Sequence, residues 1–403
     1  MKRKLISTAV LLAMLPASGA FAAALDRSGQ SVAPLFQPGN LVEFGYTWIS
    51  PTVEGTESGG LKRDIPDMGS SYDFPSAAIK YQANDKLSFA LLYDHPFGAS
   101  AAYSGANVFT NQPGHPIFPA GGTNVEVTSQ NFSLLAAYQP NENWTVYGGP
   151  AYQTIKGDVH LRGSTYSVFN GYDAKFDTAG AWGAVAGVAY QIPDIAFRAA
   201  LTYRTEISHD VDTKENLSAI PGMLPAVNAA EGTTKIKTPQ SVNLDVQSGI
   251  APNTLAFANL RWVDWSSFSI RPGQFDGRSR AVGPMVGKPN GFDLVSYEKD
   301  QYSATVGVGR KFNEQWAGNV SLGWDSGTGE YATTLGPVDG NWNIGAGVQY
   351  SPTKNFYVSA GAKYLWLGDA KGQTSAATGT PAYSGDFKDN NAVVVGVKVG
   401  YRF

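Results

Sequence analysis

The chain closes on Val393-Val394-Val395-Gly396-Val397-Lys398-Val399-Gly400-Tyr401-Arg402-Phe403, and the reading of this stretch decides the fold. Val393, Val395, Val397, Val399, Tyr401 and Phe403 alternate with Val394, Gly396, Lys398, Gly400 and Arg402. A strand sends successive side chains to opposite faces, so one face is continuously apolar with aromatics at its end and the other is small or cationic. The pattern recurs upstream. Trp342, Ile344, Ala346, Val348 and Tyr350 alternate with Asn343, Gly345, Gly347 and Gln349. Trp316, Val320, Leu322 and Trp324 share a face, as do Tyr302, Ala304, Val306 and Val308, and Phe356, Val358, Ala360, Ala362, Tyr364 and Trp366.

Several of these apolar faces carry an aromatic at each end, the arrangement expected of girdles at two bilayer interfaces. A terminal aromatic within such a strand resembles the C-terminal signal by which bacterial outer-membrane barrels are assembled. It makes the barrel-assembly machinery, reading Phe403, an expected partner. Composition agrees. Charged residues are 16% of the 403, against about 25% for an average soluble domain. A net charge of −3 disfavours nucleic acid, and the absence of Cys excludes disulfides and thiolate metal sites. A mean hydropathy of −0.19, with no long internal apolar run, argues against helical spans. At the N-terminus, Lys2, Arg3 and Lys4 precede an apolar run from Leu5 to Leu15, and Ala20-Phe21-Ala22 fits a cleavage site. Residues 1–23 therefore read as a signal peptide, cut near Ala22 or Ala23, which sends the chain into the envelope of a Gram-negative bacterium.

Short polar turns fall at Gln82–Asp85, Pro140–Asn143, Gln191–Asp194, Ala251–Asn253, Asn313–Glu314 and Ser351–Lys354. Long segments rich in Gly, Ser and Pro lie between them, at 54–74, 98–124, 162–173, 208–232, 272–300, 326–340 and 369–388. Six short turns alternating with seven long loops give 14 strands, with short turns in the periplasm and long loops outside. The fold class is all-β, a transmembrane antiparallel β-barrel spanning 40–403. Residues 24–39 are expected to form a short N-terminal plug, with Leu25, Val32, Leu35 and Phe36 packing inside the lumen.

Four segments carry a resemblance. Pro96-Phe97-Gly98 with Tyr103, Leu201-Thr202-Tyr203-Arg204-Thr205-Glu206-Ile207 with His209, Thr238-Pro239-Gln240-Ser241-Val242, and Trp262-Val263-Asp264-Trp265-Ser266-Ser267-Phe268 resemble motifs of the FadL/TodX family, in the right order on the third, seventh, eighth and ninth strands. The resemblance implies a 14-stranded outer-membrane transporter for long-chain fatty acids and other hydrophobic compounds, with a hatch in its lumen. The family's hatch ends in Asn-Pro-Ala; here the corresponding place reads Phe36-Gln37-Pro38-Gly39, which keeps the proline alone and implies a shorter plug. The family also implies sideways release of ligand at a kink in the third strand, where Pro96, Phe97 and Gly98 stand. The residues alone allow that these three merely end the strand at the outer rim.

A fatty acid needs an apolar landing site and a cation for its carboxylate. The fourth long loop, Leu217–Val227, is unusually apolar, and Ile220, Met223 and Leu224 are candidates for capture. The cations considered are Arg198, Arg204, Arg261, Lys363 and Lys398 on lumen-facing positions, and Arg271, which stands near a ligand-binding lysine of the family. Phe268 joins them as a ligand contact. Arg204 with Glu206 is expected as a structural ion pair. No catalytic residue, metal site or cofactor is expected: the four histidines lack metal-ligand spacing, and His209 with Asp210 and Asp212 reads as an acidic loop cluster. The expected function is passive uptake by a monomer seated among outer-membrane lipid and lipopolysaccharide. The alternatives are uptake of aromatic hydrocarbons or other lipids by the same fold, a general porin for polar solutes, and a barrel enzyme.

Overall fold

A computed structural model describes residues 25–220 and 222–403. The expected signal peptide, with Ala24, lies outside the described residues, as does Pro221 of the fourth loop. Fourteen antiparallel strands form one closed wall. They are β1 (Leu41–Thr52), β2 (Tyr72–Gln82), β3 (Leu87–Asp94 and Gly98–Ala102), β4 (Asn124–Tyr138), β5 (Trp144–Leu161), β6 (Tyr172–Ile192), β7 (Phe197–Arg204 and Ile207–Leu217), β8 (Val227–Thr238 and Ser241–Ala251), β9 (Thr254–Val263), β10 (Gln301–Lys311), β11 (Trp316–Asp325), β12 (Asn341–Tyr350), β13 (Phe356–Leu367) and β14 (Asn391–Arg402). The seam pairs the first strand with the last, from Leu41 opposite Arg402 to Thr52 opposite Asn391. Closure leaves no open edge, which a barrel in lipid requires.

The alternation read from the sequence is the alternation of the wall. Val395, Val397, Val399, Tyr401 and Phe403 are exposed on the outside, whereas Ala392 and Val394 are buried inside. Aromatics gather at two heights on the outer face. At the periplasmic rim, Trp316 lies on Tyr350 (4.7 Å between ring centres), Trp144 on Tyr190 (4.9 Å) and Tyr401 on Phe403 (6.0 Å). At the outer rim, Trp324 faces Trp342 (6.5 Å) and Tyr152 faces Trp182 (4.9 Å).

Three strands are interrupted, and the interruptions correct two expectations. Pro96-Phe97-Gly98 does not end β3, which resumes at Gly98 and pairs with β4 up to Ala102 opposite Asn124. Residues 208–232 are not a long loop. They are mostly the outer halves of β7 and β8, paired from Ile207 opposite Thr238 to Leu217 opposite Val227, and only 218–226 connects them. His209, Asp210 and Asp212 are thus strand residues. His209 is fully buried beside Gln153 (3.2 Å), while Asp210 and Asp212 face out. Above the membrane the outer wall meets water, so the charged face turns outward and the apolar face inward, reversing the signature seen below. The pairing of Arg204 with Glu206 also fails: Glu206 pairs with Lys237 (3.1 Å) across the strands.

The outer loops pack into a cap. Tyr331–Thr333, Ala370–Gln373, Gly385–Phe387, Gly55–Glu57 and Asp64–Ile65 form a five-stranded sheet in that order. Tyr103, Phe109, Tyr166 and Phe387 fill the space beneath it, and burial pushes the Tyr166 phenol up to about 12. The connection between β9 and β10 carries helix α1 (Gly273–Val282).

Candidate functional site

Two cavities of differing polarity lie in the lumen. The outer one measures about 110 Å³ and is walled by apolar side chains from many strands, among them Val53, Met68, Val127, Ile155, Phe176 and Phe268. Trp265, fully buried, stands edge-on to Phe97 (5.5 Å), Phe268 (5.2 Å) and Tyr297 (5.3 Å). Its indole N–H donates to Gln301 Oε1 at 2.7 Å, and the Gln301 amide donates in turn to Asp325 Oδ2 at 2.6 Å. The one polar atom of the ring is thereby satisfied by a protein partner, as a buried indole requires.

The floor of this cavity is the N-terminal segment. Leu25 and Asp26 line it, and Asp26 forms a two-pronged ion pair with Arg261: Nε donates to Oδ2 at 2.7 Å and Nη2 to Oδ1 at 3.2 Å. Both side chains are almost wholly buried, at 2% and 1% exposure. Arg261 also donates to Asn243 Oδ1 at 2.7 Å, and the Asn243 amide donates to the Gly29 carbonyl at 3.0 Å. Arg204 donates to the Gln30 carbonyl, and the Ser28 hydroxyl donates to Asp94 Oδ2 at 2.5 Å. A belt of lumen-facing polar groups from β3, β7, β8 and β9 thus holds residues 26–30. Below it, Val32 and Leu35 pack on Ala78, Leu92, Leu135 and Ala200 of the wall. The second cavity, about 140 Å³, lies here and is lined by polar groups including Gln30, Glu43, Asp94, Arg204, Asn259 and Lys398. Two nitrogens of Arg204, Nε and Nη1, are buried there with no hydrogen-bond partner among the described residues.

The same segment seals the break in β3. Pairing of β2 with β3 stops at Ala77 opposite Tyr93. Beyond it, Arg27 N donates to the Pro96 carbonyl at 2.7 Å and Gly98 N to the Leu25 carbonyl at 2.8 Å, so residues 25–27 pair with the interrupted strand. Pro96 has no N–H to offer a neighbouring strand. A Cβ on Gly98 would stand 2.3 Å from the Arg27 guanidinium carbon, so glycine leaves the room this cation occupies. The guanidinium lies 3.8 Å above the Tyr72 ring, a cation–π contact at the edge of the gap.

Of the residues singled out in the sequence, Phe268, Phe97 and Gly98 line the outer cavity, Arg261 stands at its floor and Arg204 faces the lower cavity. Arg271 sits apart. It pairs with Asp276 (2.5 Å) and Asp293 (3.8 Å) and donates to the Asn290 carbonyl, all within the β9–β10 connection. Ile220 and Leu224 face each other in an isolated bridge, Met223 is exposed, and none of the three lines a cavity described here. Phe36 packs edge-on to Tyr147 (5.4 Å) under Arg198, and Pro38 is exposed. Sequence reasoning passed over Asp26 and Arg27, and took Trp265 as part of a motif without naming it a site residue. Asp26 and Arg27 are the only charged residues between Leu5 and Val42, a signal that could have found them.

No curated protein matches the chain. Among solved structures it is similar to a Pseudomonas aeruginosa FadL homologue (13% identity, 92% of each chain covered, TM-score 0.66). It is also similar to the P. putida toluene transporter TodX (13% identity, 97% of this chain and 99% of that one, TM-score 0.64) and to the Ralstonia pickettii toluene transporter TbuX (14%, 97% and 98%, TM-score 0.63). At such identities the likeness speaks for the barrel alone. The family model of outer membrane protein transport proteins (OMPP1/FadL/TodX) matches residues 45–403, nearly the whole barrel. The chain therefore belongs to the OMPP1/FadL/TodX family, as a Gram-negative outer-membrane channel for hydrophobic compounds.

Proposed function

We propose that this channel takes up long-chain fatty acids by passive diffusion, as a monomer, with the tail in the outer cavity and the carboxylate at Arg261. The observation that carries this reading is the Asp26–Arg261 pair: a guanidinium already engaged two-pronged by a carboxylate stands at the floor of an apolar chamber. A ligand carboxylate arriving there can replace Asp26 like for like, with no net charge added to a buried site. Residues 25–27 serve as the plug over the β3 break, and release of Asp26 loosens them and uncovers a sideways exit between β2 and β3 into the outer leaflet. Phe403, exposed beside Tyr401, remains the residue offered to the assembly machinery.

A second reading has an observation of its own. Phe97, Trp265, Phe268 and Tyr297 form an aromatic box suited to ring-shaped hydrocarbons, the cargo named for TodX and TbuX. Equilibrium binding of oleate and of toluene to the purified protein separates the two. In Asp26→Asn, Arg261 loses its internal anion while the side-chain shape is kept. Oleate should then bind about tenfold tighter, some 1.4 kcal/mol, with toluene unchanged. Equal gains for both ligands would remove the carboxylate from the reading and favour hydrocarbons.

A further inference from the structure

Two buried guanidinium groups meet the N-terminal segment at adjacent residues, and only one of them has an anion. Arg261 is engaged by Asp26 and by Asn243. Arg27, the next residue along the chain, is 6% exposed. Its Nε is buried with no hydrogen-bond partner among the described residues, and none of the described ion pairs includes it. The guanidinium rests on the Tyr72 ring and in the room left by Gly98, and both of these residues are walls of the apolar chamber. A buried cation without an anion is costly to keep, so a guanidinium with an open donor at the chamber wall is a place for one. Arg204 also has open donors, but it faces the polar cavity below the segment.

The gap that Arg27 borders opens at a definite height. Tyr93 is the outermost residue of β3 to pair with β2, and its ring lies 4.7 Å from that of Phe132. Phe132 stands opposite Tyr152, which faces Trp182 in the outer aromatic row. Pro96-Phe97-Gly98 therefore breaks the wall just outside that row, where hydrocarbon gives way to headgroups. An amphiphile leaving sideways at this height can lay its tail in hydrocarbon and keep its carboxylate at the interface. On the way from Arg261 the carboxylate crosses an apolar stretch, and an anion left unpaired there is expensive.

We propose that Arg27 is a second carboxylate site, which takes the ligand's headgroup from Arg261 and holds it while the tail passes through the β3 gap. The step is an exchange of one guanidinium partner for another, with no covalent bond made or broken. Arg27 belongs to the segment whose release uncovers the exit, so the receiving cation moves with the opening. The inference rests on the uptake reading and adds to it the residue that carries the headgroup out.

The test uses full-length protein in lipid nanodiscs, loaded with stearate brominated in its tail and mixed with excess albumin in stopped flow. The recovery of fluorescence that Trp265→Phe abolishes reports departure from the chamber. Stearyl alcohol brominated at the same carbons supplies the same tail without the charge. The readout is the rate for the alcohol divided by the rate for the acid, which cancels any general loosening of the gap. In Arg27→Met this ratio should rise about tenfold, while the equilibrium affinity for the acid stays within about twofold of the parent. Arg27→Lys, which keeps a cation, should return the ratio most of the way. An unchanged ratio in Arg27→Met would show a residue that only seals the gap and would overturn the second site. A tenfold loss of equilibrium affinity for the acid would make Arg27 part of the first site and overturn the handover. A parent protein that binds acid and alcohol equally would instead remove the carboxylate from the uptake reading, and the role of Arg27 with it.

Discussion

The two halves of the lumen are built from the same strands and differ in almost everything else. Above Asp26 the cavity wall is chiefly Val, Ile, Phe and Trp; below it Glu43, Asp94, Arg204, Asp245 and Lys398 stand among apolar groups such as Ala78, Leu92 and Val397. An alkyl chain gains about 0.8 kcal/mol per CH₂ on leaving water for the upper half, and less in the lower, where it would also displace solvent from charged groups. On the proposed uptake, travel straight down the axis costs more than a sideways step through the β3 gap towards hydrocarbon. The contrast teaches that polarity changes along the lumen and that the N-terminal segment marks the boundary.

The largest effect should come from removing that boundary. Deletion of residues 25–37 joins both cavities and clears the polar lower lumen, so the barrel should pass from electrically silent to ion-conducting in planar bilayers. Silence after deletion would mean that side chains of the wall, and not the segment, close the lower half. Next is the ion pair. Arg261→Met leaves Asp26 buried and unpaired, which should weaken docking of the segment by about 3–5 kcal/mol, while Asp26→Leu combined with Arg261→Met recovers most of the loss. Hydrogen exchange at the Arg27 and Gly98 amides reads both variants. Unchanged protection in the single variant would show that the segment is held from below, by Leu35. Leu35→Ala tests that alternative directly, with an expected loss of about 2–3 kcal/mol read at the Leu35 and Gln37 amides. The smallest effect concerns the cap over the upper half. Burial alone would raise the Asp276 carboxyl, but hydrogen bonds from Arg280 and Arg271 outweigh it and hold the group below its ordinary value. A carboxyl depressed in the folded state contributes stability above its unfolded pKa and loses it as pH falls through the folded one. Exchange in α1 should thus quicken modestly below about pH 4, and Asp276→Asn should abolish that dependence.

The barrel was legible because lipid imposes a strict dyad rule on every strand it touches, as in Val395, Val397 and Val399. The outer halves of β7 and β8 escaped notice because they leave the bilayer. There Asp210, Asp212 and Lys214 point to water and Val211 points inward, a pattern that reads as loop to an eye set for membrane strands. Lumen-facing cations were found by the same alternation, but not their partners. Arg261 and Arg204 are met by Asp26 and Gln30, more than 170 residues away in sequence, and no local spacing reports so distant a contact. Arg271 drew attention through likeness to a family position, and its actual neighbours are set by the loop that carries it.

The seam between β1 and β14 has a consequence for the order of assembly. The segment that lies within the lumen precedes β1, and its hydrogen-bonding partners lie on β2, β3, β7, β8 and β9. All of these precede β14 in the chain, and β14 is the strand that completes the wall. The segment can therefore take its place against a half-built, still curved sheet and be enclosed when the last strand zips onto the first. It need never be threaded through a finished ring. On the proposed reading of the segment as a plug, the vessel is built around its stopper.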